Sequence, residues 1–230
     1  MYIPAHFAAD GDLDKIAAFV DRAGSADLVT FDGTKPVATL LPVIWERPER
    51  PEAGYGRLLG HVALNNPQWS TAKPGAKALA IVDGPQAYVS PSWYQSTKEH
   101  GRTVPTWNYV SVHFTGEVTF RKDPEWLRDV VTRLTEKYED GRPGRWWVSD
   151  APEKFIAGQL RAIVGMELVI EQVEAKEKLS QNRPEQDRSN VIAALREEAE
   201  PQAHEIAGLM MTREAQDGSA GTELARITSE

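Results

Sequence analysis

The chain has 230 residues, 41% hydrophobic and 26% charged, with 26 Lys+Arg against 34 Asp+Glu and a formal net charge of −8. That size suits one generous or two small globular domains, and the absence of cysteine excludes disulfides, thiolate nucleophiles and thiolate metal or iron–sulfur sites. Residues 196–230 hold three arginines and eight acids, a net −5, which leaves −3 for residues 1–195; the basic excess of a protein that grips DNA phosphates is missing.

Asp12 is placed to cap a helix whose apolar residues Leu13, Ile16, Ala17 and Val20 recur at helical spacing. Ala26–Phe31 and Pro36–Trp45 predict a hairpin about Asp32-Gly33, a dipeptide that accepts the positive φ of a tight turn. Arg47–Gly56, rich in proline and glycine, is expected as a loop. A short strand, Arg57–Val62, and a brief helix opened by Asn66-Pro67 follow. Ala76–Asp83 and Gln86–Ser90 predict a second hairpin about Gly84-Pro85, and Ser90–Pro105, without periodicity, a long loop.

Thr106–Phe120 reads as a long strand with a bend at Gly116. Asp123-Pro124-Glu125 combines cap, first helical residue and acidic first turn, and the stripe Leu127, Val130, Val131, Leu134 and Tyr138 faces a core. A helix near Pro152–Leu160, an alternating strand over Met166–Glu171 and a helix around Asp187–Leu195 complete the pattern. Beyond Glu198 large apolar residues are scarce. Ile206, Leu209, Met210 and Met211 could dock as one helical turn, and the last dozen residues are expected to be disordered. The division expected is a folded domain over 1–198 and an acidic, flexible tail over 199–230. Hairpins with few helices and no βαβ rhythm imply an antiparallel barrel with helical additions.

The opening Met1-Tyr2-Ile3-Pro4-Ala5-His6 has neither the basic start nor the apolar core of a signal peptide. The longest uncharged apolar stretch, Pro36–Trp45, is about half a membrane span. A cytoplasmic protein without membrane contact is expected.

Among chemical motifs, His6, His61, His100, His113 and His204 are not paired at zinc-ligand spacing. There is no Gly-x-Ser-x-Gly elbow and no Walker loop. Four segments mix an aromatic with small polar donors: Ala38–Pro42, Gly60–Trp69, Val89–Tyr94 and Pro105–Tyr109. Such a mixture suits a flat, polar-edged ligand. It equally suits a core or interface built on Trp45, Trp69, Trp93 and Trp107, and the residues alone leave both readings open. His61 falls at a strand end before a helix start, where anions bind, or where a half-buried histidine is satisfied by its neighbours. Lys178–Arg183 is either a solvated connector or a polar arm reaching a phosphate or ring edge.

Taken together and in order, Met1-Tyr2-Ile3-Pro4, Gly60-His61 through Asn66-Pro67-Gln68-Trp69, Val89-Ser90-Pro91-Ser92-Trp93-Tyr94, Pro105-Thr106-Trp107-Asn108-Tyr109 and Lys178-Leu179-Ser180-Gln181-Asn182-Arg183 resemble the PaiB family. The resemblance runs from the first residue to about Leu195. It implies a mainly β, α+β fold: a six-stranded antiparallel split β-barrel of the FMN-binding type with peripheral helices. It also implies a homodimer with flavin at the subunit interface and a role as negative transcriptional regulator. On that resemblance the FMN contacts are expected from Thr39, Leu40, His61, Asn65, Trp69, Trp107, Asn108, Lys178, Gln181, Asn182 and Arg183, with no metal and no assigned catalytic residue.

The wider fold group includes pyridoxamine-phosphate oxidases, which hold the flavin phosphate with basic residues near the strand equivalent to Val37–Leu41; this chain has Leu40, Leu41 and Leu64 in that region. A flavin-linked regulator acting on DNA or through a protein partner is the first expectation. A flavin-dependent oxidoreductase and a flavin-free scaffold are the alternatives. The acidic charge argues against direct DNA binding, and the missing acid–base constellation argues against demanding chemistry.

Overall fold

The computed structural model describes the chain except residues 10, 51–53, 74 and 228–230, with side chains through residue 216. Seven strands form one sheet: β1 (Ser25–Phe31), β2 (Pro36–Pro42), β3 (Ile44–Glu46), β4 (Arg57–Ala63), β5 (Ala76–Val89), β6 (Thr106–Arg121) and β7 (Ile163–Lys178). Their order is β2-β1-β5-β6-β7-β4-β3, so the sheet is not closed. The helices are α1 (Leu13–Ala23), α2 (Gln68–Thr71), α3 (Gln95–His100), α4 (Pro124–Glu139), α5 (Glu153–Leu160), α6 (Glu185–Leu195) and α7 (Pro201–Ile227). None among the described residues is long and apolar enough to cross a membrane.

The α+β class expected from sequence holds, with seven strands in place of six. Pro36–Trp45 breaks at Val43 into two strands. β2 pairs antiparallel with β1, Ser25 opposite Pro42, whereas β3 pairs antiparallel with β4, Ile44 opposite Leu59. Val43 N donates instead to the carbonyl of Gly24, which turns the chain from one partner to the other.

Two compact units are distinguished. One comprises Asp12–Asp83 and Val112–Glu174; the other comprises Met1–Gly11, Gly84–Ser111 and Ala175–Glu230. In the first, Asp12 caps α1 by accepting from Asp14 N at 2.9 Å and Lys15 N at 3.3 Å, satisfying amides that a helix start leaves orphaned. Asp123 caps α4 by accepting from Trp126 N at 2.7 Å. Leu127, Val130 and Leu134 of the expected stripe are buried, while Tyr138 is partly exposed and donates its hydroxyl to Gly24 O at 2.8 Å. Val130 and Leu134 pack on Leu59 of β4. Two glycines set close approaches: a Cβ on Gly165 would meet the Trp126 indole at 2.1 Å, and one on Gly116 would meet Val169 O at 1.9 Å.

The expected hairpin about Gly84-Pro85 does not form. β5 runs straight through that dipeptide, and Gly84 is not in the left-handed conformation that a tight primed turn needs. What changes there is the buried face. Ala78, Ala80 and Val82 are buried before the dipeptide, and Ala87 and Val89 after it, so the alternation shifts by one residue.

In the second unit, the expected loop Ser90–Pro105 contains a 3-10 turn at Pro91–Trp93 and α3, which ends at Gly101 with φ of +66°. Ser96 at its start donates from N and Oγ to the Asp187 carboxylate of α6, at 3.0 and 2.7 Å. Burial pushes that carboxyl upward, but the hydrogen bonds outweigh it and hold Asp187 below the usual aspartate range. α7 does more than dock one turn. Ala203, Ile206, Ala207 and Met210 are all buried, as are Val191, Ile192 and Leu195 of α6. Part of the expected loop, residues 51–53, and the side chains of the expected disordered end lie outside the described residues.

Candidate functional site

The residues expected to hold a flavin fall into two groups, one in each unit. In the first unit they gather about the turn that joins β4 to α2. Asn66 Nδ2 donates to Thr39 Oγ1 at 2.9 Å, and Asn66 Oδ1 accepts from Gln68 N at 2.9 Å. Trp69 Nε1 donates to Leu64 O at 2.8 Å, pinning the indole to the same turn. Asn65 is exposed at its tip. Thr39 and Leu40 are neighbours on β2 and point to opposite faces, Leu40 being 66% exposed.

Gln68 is the internal brace of this group. It is fully buried, and its Nε2 donates to Leu28 O, Thr30 Oγ1 and Val37 O at 2.9, 3.1 and 3.1 Å. Its Oε1 is buried without a hydrogen-bond partner, and so is Nδ1 of His61 on β4. Burial pulls the His61 imidazole below the usual histidine range, so the ring is neutral near pH 7. Of the two readings the sequence left open for His61, an anion contact or a half-buried histidine satisfied by its neighbours, the structure shows a half-buried neutral ring whose Nδ1 has no partner. A cation reaches this region in Lys122, whose Nζ sits 3.7 Å from the centroid of the Trp69 ring. No local spacing points to Lys122, because it reaches Trp69 from the end of a different strand.

In the second unit, Trp107 and Asn108 also diverge by strand alternation. Trp107 is half exposed and meets Tyr88 edge-on with ring centroids 6.1 Å apart. Asn108 is fully buried and spends its amide on Ser180 and on Met210 Sδ. Lys178 Nζ donates to Thr106 Oγ1 and to the carbonyl of Trp107. Burial, with Lys176 and Arg183 as neighbouring cations, lowers its ammonium below the usual lysine range. Gln181 folds back on its own turn, accepting from Leu179 N and donating to Glu177 O, and Asn182 is exposed. The Arg183 guanidinium lies 4.7 Å from the centroid of the Tyr94 ring. The stretch 178–183 is thus a hydrogen-bonded turn that holds two cations, Lys178 and Arg183, against aromatic and carbonyl groups. No cluster of His, Asp or Glu among the described residues could hold a metal.

Comparison with known proteins sets this geometry in context. Residues 1–172 match the family model FMN_bind_2, described as "Putative FMN-binding domain". The chain is 36% identical over 210 residues to the Protease synthase and sporulation protein PAI 2 of Bacillus subtilis (strain 168), covering 91% of this chain and 96% of that protein. Among solved structures it is similar to the flavocytochrome Anf3 from Azotobacter vinelandii, with a TM-score of 0.55 and 14% identity over 77% of this chain and 73% of that one. It is also similar to the FAD and heme binding protein from Mycobacterium smegmatis, with a TM-score of 0.51 and 18% identity over 72% and 70% of the two chains. These structural likenesses are likenesses of fold, and that fold is the flavin-binding split barrel.

Proposed function

The chain belongs to the FMN_bind_2 family of flavin-binding domains and is PaiB-like, and from that premise we propose that it binds flavin mononucleotide as a cytoplasmic homodimer and acts as a flavin-linked regulator. The observation that carries the reading is the unpartnered Nδ1 of the neutral His61, a buried polar atom left for a ligand to satisfy. A flavin ring edge offers both N–H and carbonyl groups, so a neutral imidazole can pair with it in either tautomer. Thr39, Asn65 and Trp69 supply a hydroxyl, an amide and an indole about the same turn, and Lys122 supplies positive charge for a phosphate. The donor set therefore fits a flavin. Bound FMN supplies reversible electron transfer; the residues of this chain bind and orient it.

The name of the Bacillus subtilis relative ties that protein to protease synthesis and sporulation, which supports a regulatory reading. A net charge of −8 favours regulation through flavin state or a protein partner over direct capture of DNA. Titration of the full chain with FMN, followed by quenching of flavin fluorescence, tests the central claim. Saturable quenching with a Kd near the micromolar class, about −8 kcal/mol, is expected, with FAD and riboflavin as comparators. Quenching that never saturates would favour the flavin-free scaffold. Light scattering that shows a monomer would remove the homodimer, and tight promoter binding with a steep salt dependence would replace the partner-mediated reading with direct repression.

A further inference from the structure

A cavity of about 260 Å³ lies wholly within the second unit, and no residue of the His61 group lines it. Tyr88, Trp93 and Trp107 form its walls, the fully buried Leu195 contributes to its floor, and Glu198 and Glu200 stand at its exposed rim. No lysine, arginine or histidine lines it. Neither glutamate makes an ion pair among the described residues. His204 engages the backbone carbonyl of Glu198 at 2.7 Å and leaves the carboxylate untouched.

We propose that this cavity binds a small organic cation, an alkylated ammonium group in particular. Three aromatic side chains line the cavity, and aromatic rings attract positive charge through their quadrupoles. They also disfavour a small, strongly hydrated ion, because they give back no hydrogen bonds for the water it would shed. Methyl or methylene groups around a cationic nitrogen suit both the aromatic walls and the aliphatic floor. The two carboxylates complete the preference: they attract a cation and repel a phosphate. The flavin phosphate therefore does not belong here, and Trp107 serves this second ligand. The volume falls below the about 300–1,000 Å³ of drug-sized pockets, which limits the occupant to a group of trimethylammonium size with a short substituent.

Choline and its uncharged isostere, in which a tert-butyl group replaces the trimethylammonium, test the assignment by isothermal titration of the full chain at fixed ionic strength. Choline is expected to bind saturably and the isostere roughly tenfold or more weakly, a gap of about 1.4 kcal/mol. The exposed pair Glu198→Gln with Glu200→Gln should weaken choline severalfold without changing the isostere, and Trp93→Ala should weaken both. Equal binding of choline and isostere would reduce the cavity to an apolar recess and overturn the proposal. So would choline affinity unchanged in the double glutamine variant, or no choline binding at tens of millimolar. Because Glu198 and Glu200 are exposed, their variants keep the fold even if Trp93→Ala does not. The titration needs no flavin, so its failure leaves the FMN reading standing, and failure of FMN binding leaves this one standing.

Discussion

Asn108 and Ser180 exchange two hydrogen bonds inside the second unit: Asn108 Nδ2 donates to Ser180 Oγ at 3.0 Å, and Ser180 Oγ donates back to Asn108 Oδ1 at 3.1 Å. Both residues are buried, and Ser180 is the one residue other than glycine with a positive φ, +64°, among the described residues. The pair ties β6 to the turn that ends β7 and holds that turn in a conformation serine seldom adopts. Asn108→Ala should cost about 1–3 kcal/mol, because the Ser180 hydroxyl is left buried without its partner. Ser180→Ala should cost more than Ser180→Gly, since alanine keeps the left-handed strain that glycine relieves. Urea midpoints at constant m-value read out both comparisons.

Gly116 and Gly208 should answer the same substitution in opposite directions. A Cβ at Gly116 would meet Val169 O at 1.9 Å, whereas one at Gly208 on α7 has nothing within 4 Å. Gly116→Ala must push β6 from β7 and is expected to destabilise by at least about 1–3 kcal/mol. Gly208→Ala should stabilise by about 0.5–1 kcal/mol through helix propensity. Thermal melts of the two variants suffice; a stable Gly116→Ala protein would mean that the strand contact is wrong.

Charge pairs should differ as sharply. The Glu167 side chain is 5% exposed and accepts from Arg57 at 2.7 Å while also pairing with Arg121; Arg57 reaches on to Glu46, which Arg133 also holds. Lys77 bridges Glu117 and Glu171 in solvent. Glu167→Ala is expected to cost about 3 kcal/mol, the low end for a broken buried pair because both its arginines keep solvent contact. Lys77→Ala should cost less than about 1 kcal/mol.

His61 links stability to pH. Burial depresses its folded pKa below the ordinary histidine value, so the unfolded chain binds a proton that the folded chain resists. Stability should fall as pH drops through about 6.5 and level off once the folded ring titrates. His61→Gln should flatten part of that decline and not all of it, since burial also lowers His113. Urea midpoints taken between about pH 7.5 and about pH 5 measure the difference; identical curves for parent and variant would show that His61 is not protected.

The same neutrality ranks two side chains proposed above to meet FMN, His61 and Lys122. A neutral hydrogen bond contributes about 0.5–1.5 kcal/mol and a charged one about 1.5–3 kcal/mol. His61→Ala should therefore lower FMN affinity by about tenfold or less, and Lys122→Ala by about ten- to a hundredfold. Fluorescence titration of the two variants checks the order, and a larger loss at His61 would mean that the ring is charged when flavin is bound.

Caps were legible because their chemistry is local: Asp12 and Asp123 each bond amides within three residues of themselves. The break at Val43 was not, because its cause is a hydrogen bond from the Val43 N–H to the Gly24 carbonyl, far back along the chain. α3 escaped notice for the same reason; its first turn is held by Asp187, 91 residues later. Gly84-Pro85 misled in another way, since the dipeptide that favours a turn also permits a change of face in a continuous strand. At the candidate site, the ordered motifs named segments but not how neighbours divide between faces. Trp107 and Asn108 stand side by side in sequence, one open to solvent and one sealed in the interior.

The shift of face within β5 carries a consequence for how the gene can drift. On either side of Gly84-Pro85 the buried positions have opposite parity, even before and odd after. With a side-chain period of two, losing or gaining one codon in either half turns that half's core residues outward, whereas a change of two codons restores them. Length variation along this strand among related genes should accordingly come in pairs, except at the dipeptide itself, where a single residue decides which way the strand faces.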